Sequence, residues 1–226
     1  MDRKTASLPV LCYHGVSDGF DSQWVLAENE FENQILELVR SGFVFCSLDE
    51  IISGRIDESK KYCAITFDDG RIVSESSLRV MDKYQISATF FIVINFIDGI
   101  NVPEEEQYCP FFSWEQIKGL ISKNHTIGSH TVSHPRLHKL GREEILFEMI
   151  ESKKILEDKL EIECRHFALP YGYADDALLG CALSCQYESI SKIELKLNSL
   201  PFSGNTISRI SVLTGKGLPP VVLGKF

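Results

Sequence analysis

The sequence predicts a single α/β domain built around a mostly parallel sheet, either a barrel or a doubly wound sheet. Strand-like runs alternate with helical stretches along the chain, and most of these runs are almost continuously apolar. Continuous apolar runs are typical of parallel strands that are covered on both faces. The length of 226 residues suits one domain of this class. We therefore expect one domain over residues 1–226, with a core spanning about 8–213.

The distribution of apolar residues predicts seven strands and four helices. The first helix, 30–40, carries apolar residues at helical spacing, and Gly42 follows as a stop signal. The third, 113–122, begins with Ser113 and has Gln116 three residues later, which is a capping-box pattern. The predicted strands are 8–13, 43–47, 62–67, 88–94, 126–129, 166–169 and 207–213, and the predicted helices are 30–40, 74–84, 113–122 and 143–160.

Charge and cysteine content argue against several classes of protein. The chain has 23 Lys and Arg against 32 Asp and Glu, a formal charge of −9, so a nucleic-acid partner is not expected. Seven cysteines, an odd number without a C-x-x-C pair, indicate reduced, buried thiols. The start, Met1 to Ser7, has no apolar signal region, and no stretch reaches the roughly 18 apolar residues of a membrane span. The sequence therefore predicts a cytoplasmic protein.

Two adjacent carboxylates follow the apolar strand 62–67. Asp68 and Asp69 stand directly before Gly70, which lets the backbone turn sharply. In parallel α/β folds, catalytic groups collect where the strands end. Neighbouring side chains at a strand end point in different directions, so one carboxylate can bind a metal while the other faces the water that the metal activates. The alternative is a solvated turn, because Asp-Asp-Gly is also common turn chemistry.

A pair of histidines strengthens the metal interpretation. His130 and His134 are four residues apart, so in one helical turn both rings would project to the same side and share a metal. His138, four residues further on, is either unrelated or a candidate to support the ligands. A histidine pair alone is more often structural, but its combination with Asp-Asp-Gly after a strand favours a metal hydrolase.

Three ordered segments resemble the signatures of the polysaccharide deacetylases, carbohydrate esterase family four. They are Thr66-Phe67-Asp68-Asp69-Gly70, then Ser129-His130-Thr131-Val132-Ser133-His134-Pro135-Arg136-Leu137, then Phe167-Ala168-Leu169-Pro170-Tyr171-Gly172. The opening segment 8–16 and the segment 47–51 are similar to the branch that acts on poly-N-acetylglucosamine and related exopolysaccharides. The resemblance implies a distorted (β/α) barrel with about seven parallel strands.

The resemblance also implies roles for individual residues. Asp69, His130 and His134 would be the metal ligands, Asp68 the base, and the backbone N–H of Tyr171 a donor to the oxyanion. Nitrogen and oxygen donors that leave positions open suit zinc best, although nickel, cobalt or iron can occupy such a site.

The general acid departs from the commonest family pattern. Most members place this histidine near the C-terminus, but this chain has none after His166. The resemblance to the exopolysaccharide branch points to His14, at the end of the first predicted strand, and protonation of an amine near neutral pH suits a histidine. The alternative for His14 is a structural imidazole bonded to the backbone. His125 and His166 are expected to belong to strands and to have no chemical role.

A second departure is Ala168, where many members carry an arginine that holds the base. Arg209 and Arg165 are the candidates to replace it, and Arg209 is favoured because it lies on a late strand. Arg209 and Tyr171 are together assigned to the oxyanion and substrate side of the pocket. Four aromatic residues near the signatures are candidates to cover a sugar ring, namely Trp24, Trp114, Tyr13 and Tyr171.

The functional prediction is a metal-dependent hydrolase that removes N-acetyl groups from an N-acetylated amino sugar in a polysaccharide, a glycan or a lipid-linked precursor. One alternative keeps the site and changes the substrate to an O-acetyl ester or a non-sugar amide. Another is a carbohydrate-binding relative without activity, which Ala168 and the missing late histidine favour slightly. The intact set Asp68, Asp69, His130 and His134 argues against it, because a binding module needs neither base nor ligands.

Overall fold

Seven parallel strands close into a barrel in the computed structural model, which describes residues 6–224. Residues 1–5 and 225–226 of the predicted domain lie outside the described residues. The strands are β1 (Ala6–Leu8), β2 (Val10–Tyr13), β3 (Gly15–Val16), β4 (Val25–Leu26), β5 (Phe43–Phe45), β6 (Lys61–Phe67), β7 (Thr89–Ile92), β8 (Thr126–Ser129), β9 (His166–Ala168), β10 (Ser189–Ile193), β11 (Asn198–Leu200) and β12 (Thr206–Ser211). The helices are α1 (Glu28–Arg40), α2 (Leu48–Ile52), α3 (Glu75–Lys83), α4 (Trp114–Ser122), α5 (Arg142–Leu160) and α6 (Asp176–Ser184).

The barrel runs in the order β2, β12, β10, β9, β8, β7, β6, and β6 returns to β2. The closing pair is parallel and in register from Val10 opposite Ala64 to Tyr13 opposite Phe67. β5 adds to β6 outside the ring. These findings confirm the predicted distorted barrel with about seven parallel strands. Closure also places the C-terminal ends of all seven strands on one rim.

The apolar runs fill the barrel and the layer between barrel and helices. Phe67 and Phe90, on adjacent strands, stack with ring centroids 4.7 Å apart. α1 turns Phe31, Ile35 and Leu38 into this core, as the helical spacing predicted. The capping box predicted at Ser113 is present, because its side chain accepts from the backbone N–H of Gln116 and the Gln116 side chain accepts in return.

Several boundaries differ from the predictions for identifiable reasons. The predicted strand 8–13 is divided at Pro9, which has no N–H to donate, and its first part pairs with β11 instead of joining the barrel. The predicted strand 43–47 stops early because Ser47 caps α2. Barrel strand β10 was missed because its buried serines break the apolar run, and α6 was missed because Gly180 interrupts a weak pattern.

All seven cysteines are buried and unpaired, as the sequence suggested. Within residues 6–224, no helix is both long enough and apolar enough to cross a membrane.

A polar network closes the N-terminal end of the barrel. The Asp49 carboxylate lies 3.1 Å from Nε2 of His166, and Nδ1 of that ring lies 2.7 Å from the hydroxyl of Ser189. Thr126 donates to the other Asp49 oxygen at 2.9 Å, and Arg165 approaches at 2.7 Å. Although the set resembles a hydrolytic triad, Ser189 and His166 are completely buried. The network therefore joins the starts of β8, β9 and β10 rather than meeting a substrate.

Asp49→Asn should lower the free energy of unfolding at pH 7 by about 1–3 kcal/mol, because one carboxylate satisfies three buried or half-buried donors. The hydrogen bond from His166 is the main cause that lowers the pKa of Asp49 to about 2. A carboxylate with a lowered folded-state pKa stabilises the fold above its unfolded-state pKa of about 4, and this stabilisation is lost as the pH falls towards 2. Urea unfolding at pH 7 and pH 3 should show the difference between variant and wild type shrinking at the lower pH. An equal difference at both pH values would contradict the prediction.

Candidate active site

The aspartate turn leaves the barrel at the end of β6. The backbone N–H of Asp68 still donates to the carbonyl of Tyr13 on β2, at 2.9 Å. The next two residues, Asp69 and Gly70, have φ of 68° and 76°, so the chain reverses within two residues. This left-handed turn sends the two carboxylates in different directions, as the residue pattern suggested.

The histidine segment is a loop, not the helical turn that the spacing suggested. It follows β8, and left-handed backbone at Thr131 and His134, with φ of 75° and 56°, prevents a helix. The Thr131 hydroxyl accepts from the backbone N–H of His134 at 2.9 Å and closes the turn. The two rings nevertheless meet, with centroids 4.9 Å apart. The prediction that both rings lie on one side is therefore correct, although the helical turn from which it was argued is absent.

Glu148 of α5 holds this loop from behind. Its carboxylate accepts from the backbone N–H groups of Val132 and Ser133, at 2.8 and 3.0 Å, and from the Ser133 hydroxyl at 2.5 Å. The sequence does not reveal Glu148, because nothing in its helical surroundings distinguishes it from the other acidic residues of α5. Its burial among backbone donors is visible only once the fold is known.

Three ligand atoms converge where the aspartate turn meets the histidine loop. One oxygen of Asp69, Oδ1, lies 3.6 Å from Nε2 of His130 and 3.4 Å from Nε2 of His134. All three donor atoms lie within 4.8 Å of one another. Metal–ligand bonds of about 2.1 Å in tetrahedral directions would separate the donors by roughly 3.4 Å. Nδ1 of His130 contacts the Ala168 carbonyl at 2.8 Å, which leaves Nε2 free to ligate. The donor set therefore fits a divalent metal.

Asp68 is held by an arginine from β12, which is separated from β6 by β2 alone. Arg209 of β12 donates to both oxygens of Asp68, at 2.5 and 2.8 Å, and also to the hydroxyl of Thr66. Burial raises the pKa of Asp68, but the positive charge of Arg209 and further contacts more than offset it, and the pKa lies well below its usual range. Arg165 instead pairs with Asp49 at the other end of the barrel.

Arg209 is completely buried and is not among the described residues that line the cavity. Its contact is therefore with Asp68, whereas the sequence predicted a place for it on the oxyanion and substrate side of the pocket. The position occupied by Ala168 is part of β9, two strands away from β12 around the barrel, so the arginine reaches the carboxylate from a different strand.

A cavity of about 230 Å³ opens over these side chains. Trp24 and Tyr171 line it, whereas Tyr13 is buried with its hydroxyl on Gln34 and Trp114 packs against the core. The lining residues are His14, Trp24, Asp68, Asp69, Glu106, Tyr108, His130, His134, Tyr171, Gly172, Ile193 and Ser211.

His14 lies in the cavity wall immediately after β2. Its ring packs against Trp24 with centroids 4.7 Å apart, and its Nδ1 has no hydrogen-bond partner among the described residues. The structural alternative, a ring hydrogen-bonded to the backbone, is therefore not observed at Nδ1. Burial lowers the pKa of His14, and the charges of Asp69 and Asp68 offset part of that effect.

Tyr171 stands on the other side of the histidines. Its ring lies 4.8 Å from that of His134, and the Arg136 guanidinium lies 4.0 Å from its centroid. Its φ of 60° gives the backbone a sharp turn, and Gly172 follows where any Cβ would lie 2.3 Å from Ile193. The chain is thereby brought close to the strand end. His138 lies elsewhere, against Tyr173.

Two further residues of the cavity wall carry no recognisable signal in the sequence. Glu106 and Tyr108 lie on the long connection between β7 and α4, and both line the cavity. Arg71 lies behind them, fully buried, and donates to Oδ2 of Asp69 at 3.0 Å. The position of Arg71, two residues after Asp69, is the one signal in the sequence that points to it.

A family model described as polysaccharide deacetylase matches residues 55–190. The putative polysaccharide deacetylase YxkH of Bacillus subtilis is 26% identical over 189 residues, which cover 82% of this chain and 64% of that protein. The peptidoglycan-N-acetylglucosamine deacetylase of Bacillus cereus is 29% identical over 117 residues, 50% of this chain and 38% of that protein. The chain thus spans less than two thirds of these relatives.

Solved structures share the fold. IcaB from Ammonifex degensii superposes with a TM-score of 0.81 at 22% identity, covering 97% of this chain and 95% of that one. The Streptococcus pyogenes deacetylase PplD, in complex with acetate, has a TM-score of 0.77 at 22% identity and covers 93% and 94%. At such identities these structures establish the barrel, and the chemistry must be argued from the side chains.

Proposed function

The chain belongs to the polysaccharide deacetylase family, and we propose that it is a metal-dependent hydrolase that removes N-acetyl groups from an N-acetylated amino sugar in a polysaccharide, a glycan or a lipid-linked precursor. One observation carries the proposal. Three ligand atoms on Asp69, His130 and His134 converge beside a second carboxylate, Asp68, that is held apart from them by Arg209. Metal hydrolases need this division between ligand and base.

In this proposal Asp69, His130 and His134 hold a divalent metal, with zinc favoured over nickel, cobalt or iron because of the mixed nitrogen and oxygen donors. When bound, the metal supplies Lewis-acid activation of water and polarisation of the acetamide carbonyl. Three protein ligands leave coordination positions open for the water and for the carbonyl oxygen.

Asp68 is proposed as the general base. The bidentate contact with Arg209 keeps the carboxylate ionised and fixes its orientation. Its Oδ2 lies 3.8 Å from Nε2 of His130, so it borders the ligand cluster without belonging to it. From this position Asp68 can accept the proton of the attacking water. Arg209, being buried behind Asp68, acts through the carboxylate and not on the sugar.

His14 is proposed as the general acid and Tyr171 as the oxyanion donor. His14 and Asp68 line the same cavity, so a substrate between them meets the base and the acid together. The amide nitrogen leaves as an amine only when it is protonated, and His14 can donate this proton. The backbone N–H of Tyr171, beside the histidines, is proposed to stabilise the negative charge on the carbonyl oxygen.

The first test is acetate release from N-acetylglucosamine oligomers, which are chosen because one relative is named for that sugar. We expect release that a chelator abolishes and added zinc restores, and we expect His134→Ala to weaken zinc binding. A zinc-soaked crystal should show an anomalous peak among Asp69, His130 and His134. Release from O-acetyl esters alone would favour the ester alternative, and release from neither class, with zinc bound, would favour a binding protein.

Asp68→Asn should keep the metal and lose most turnover. The amide has nearly the same shape but cannot accept the proton, so a loss of about 10²-fold or more is expected. Asp158→Asn, an exposed position on α5, is the matched control and should behave like wild type. Zinc binding and acetate release are measured on all three proteins. Wild-type turnover in a zinc-loaded Asp68→Asn enzyme would remove Asp68 from the role of base.

His14→Ala should impair amide hydrolysis far more than hydrolysis of an activated acetyl ester, because the leaving group of such an ester needs no proton. Rates on an N-acetylated sugar and on an aryl acetate give the comparison. His138→Ala, which removes an exposed histidine outside the cavity, is the control. Equal losses on both substrates, or no loss on either, would reject His14 as the acid.

A further inference from the structure

Arg71 lies between Asp69, the proposed metal ligand, and Glu106 in the wall of the cavity. Its side chain is completely buried, and all three guanidinium nitrogens have acceptors. Nε donates to Oδ2 of Asp69 at 3.0 Å, Nη1 donates to the backbone carbonyl of Glu106 at 3.0 Å, and Nη2 donates to the Glu106 carboxylate. One cation therefore joins two carboxylates that are 37 positions apart in the sequence.

The contact extends along residues 102–112, which we call the wall segment. The ring of Tyr108 lies 3.9 Å from the Arg71 guanidinium carbon, and the ring of Phe111 lies 4.6 Å from it. The backbone on either side of Arg71 is tied to the same segment, because Ile72 donates to the Pro110 carbonyl and the Phe112 N–H donates to the Gly70 carbonyl, both at 2.9 Å.

We infer that Arg71 is a positioning residue that couples the metal ligand Asp69 to the wall segment. By occupying Oδ2 of Asp69, it leaves Oδ1 directed at the two histidines, which favours ligation through a single oxygen. By holding Glu106 and Tyr108, it fixes one side of the cavity. The inference rests on the proposed function, because that proposal makes Asp69 a ligand.

The physical basis is the cost of an unpaired buried cation. Removing an anchor from a buried guanidinium leaves donors without acceptors, so the remaining contacts must shift to compensate. The planar fork of arginine fixes two partners at defined angles, which a lysine ammonium cannot do. A displacement of the wall segment is therefore transmitted to Asp69, and the reverse also holds, since coupling between two sites is reciprocal.

Glu106 offers the decisive substitution because it has a matched neighbour. Glu106→Ala removes the carboxylate anchor of Arg71, whereas Glu105→Ala removes the same charge from an exposed residue one position away. Arg71→Met removes the clamp itself. Zinc affinity is measured by competition with a chelating dye, and the mobility of the wall segment by hydrogen exchange of its backbone amides, read by mass spectrometry.

Arg71→Met is expected to weaken zinc binding by about 10- to 100-fold, the range found when a group that orients a ligand is removed. Glu106→Ala is expected to weaken it by about threefold or more, a fraction of that effect. Both variants should exchange faster than wild type across the wall segment, and Glu105→Ala should match wild type in both measurements.

The Glu106→Ala result decides the inference even if Arg71→Met does not fold. The coupling is overturned if the wall segment of Glu106→Ala exchanges faster while its zinc affinity equals that of Glu105→Ala. It is also overturned if Glu106→Ala equals Glu105→Ala in both measurements. Neither measurement uses a substrate. A wild-type protein that binds zinc but releases no acetate would therefore defeat the proposed function and leave this test able to decide.

Discussion

The central constraint on this structure is the placement of two adjacent carboxylates in a buried site. Asp68 and Asp69 would repel each other and raise each other's pKa if nothing opposed them. Two completely buried arginines prevent this, Arg209 on Asp68 and Arg71 on Asp69. The arginines also distinguish the carboxylates, because Arg209 occupies both oxygens of its partner and Arg71 only one. The two carboxylates thus differ in hydrogen bonding, and this difference supports the separate roles proposed for them.

The two polar clusters of the barrel lie at its opposite ends. At the C-terminal rim, three donor atoms and the carboxylate of Asp68 surround a cavity. At the N-terminal end, Asp49, His166 and Ser189 form a similar chain of polar contacts with its hydroxyl completely buried. Residue types alone do not separate the two, since both contain an aspartate and a histidine. The two clusters differ in their access to a cavity. This access depends on whether a residue lies at the C-terminal or the N-terminal ends of the strands.

The sequence predicted those parts of the molecule that depend on local pattern. It indicated the barrel class, the capping box at Ser113 and the segments that carry Asp68, Asp69, His130 and His134. It failed where distant contacts override the local pattern. The helical turn assigned to the histidines is a loop that the Glu148 carboxylate stabilises, and β10 owes its place in the barrel to neighbours on both sides rather than to an apolar run. Arg71 was missed because its second partner, Glu106, is remote in sequence.

The replacement at Ala168 shows why a closed barrel tolerates such changes. Every strand of the ring ends on the same rim, so a long side chain from several strands can reach one point near the axis. An arginine at the Ala168 position would approach Asp68 from β9, whereas Arg209 approaches it from β12, which is separated from β6 by β2 alone. What the site requires is a guanidinium opposite the carboxylate, and the strand that supplies it can vary. A sequence motif records the position of a residue and not the point that its side chain reaches, so a motif that requires an arginine at the Ala168 position misses the arginine that contacts Asp68 here.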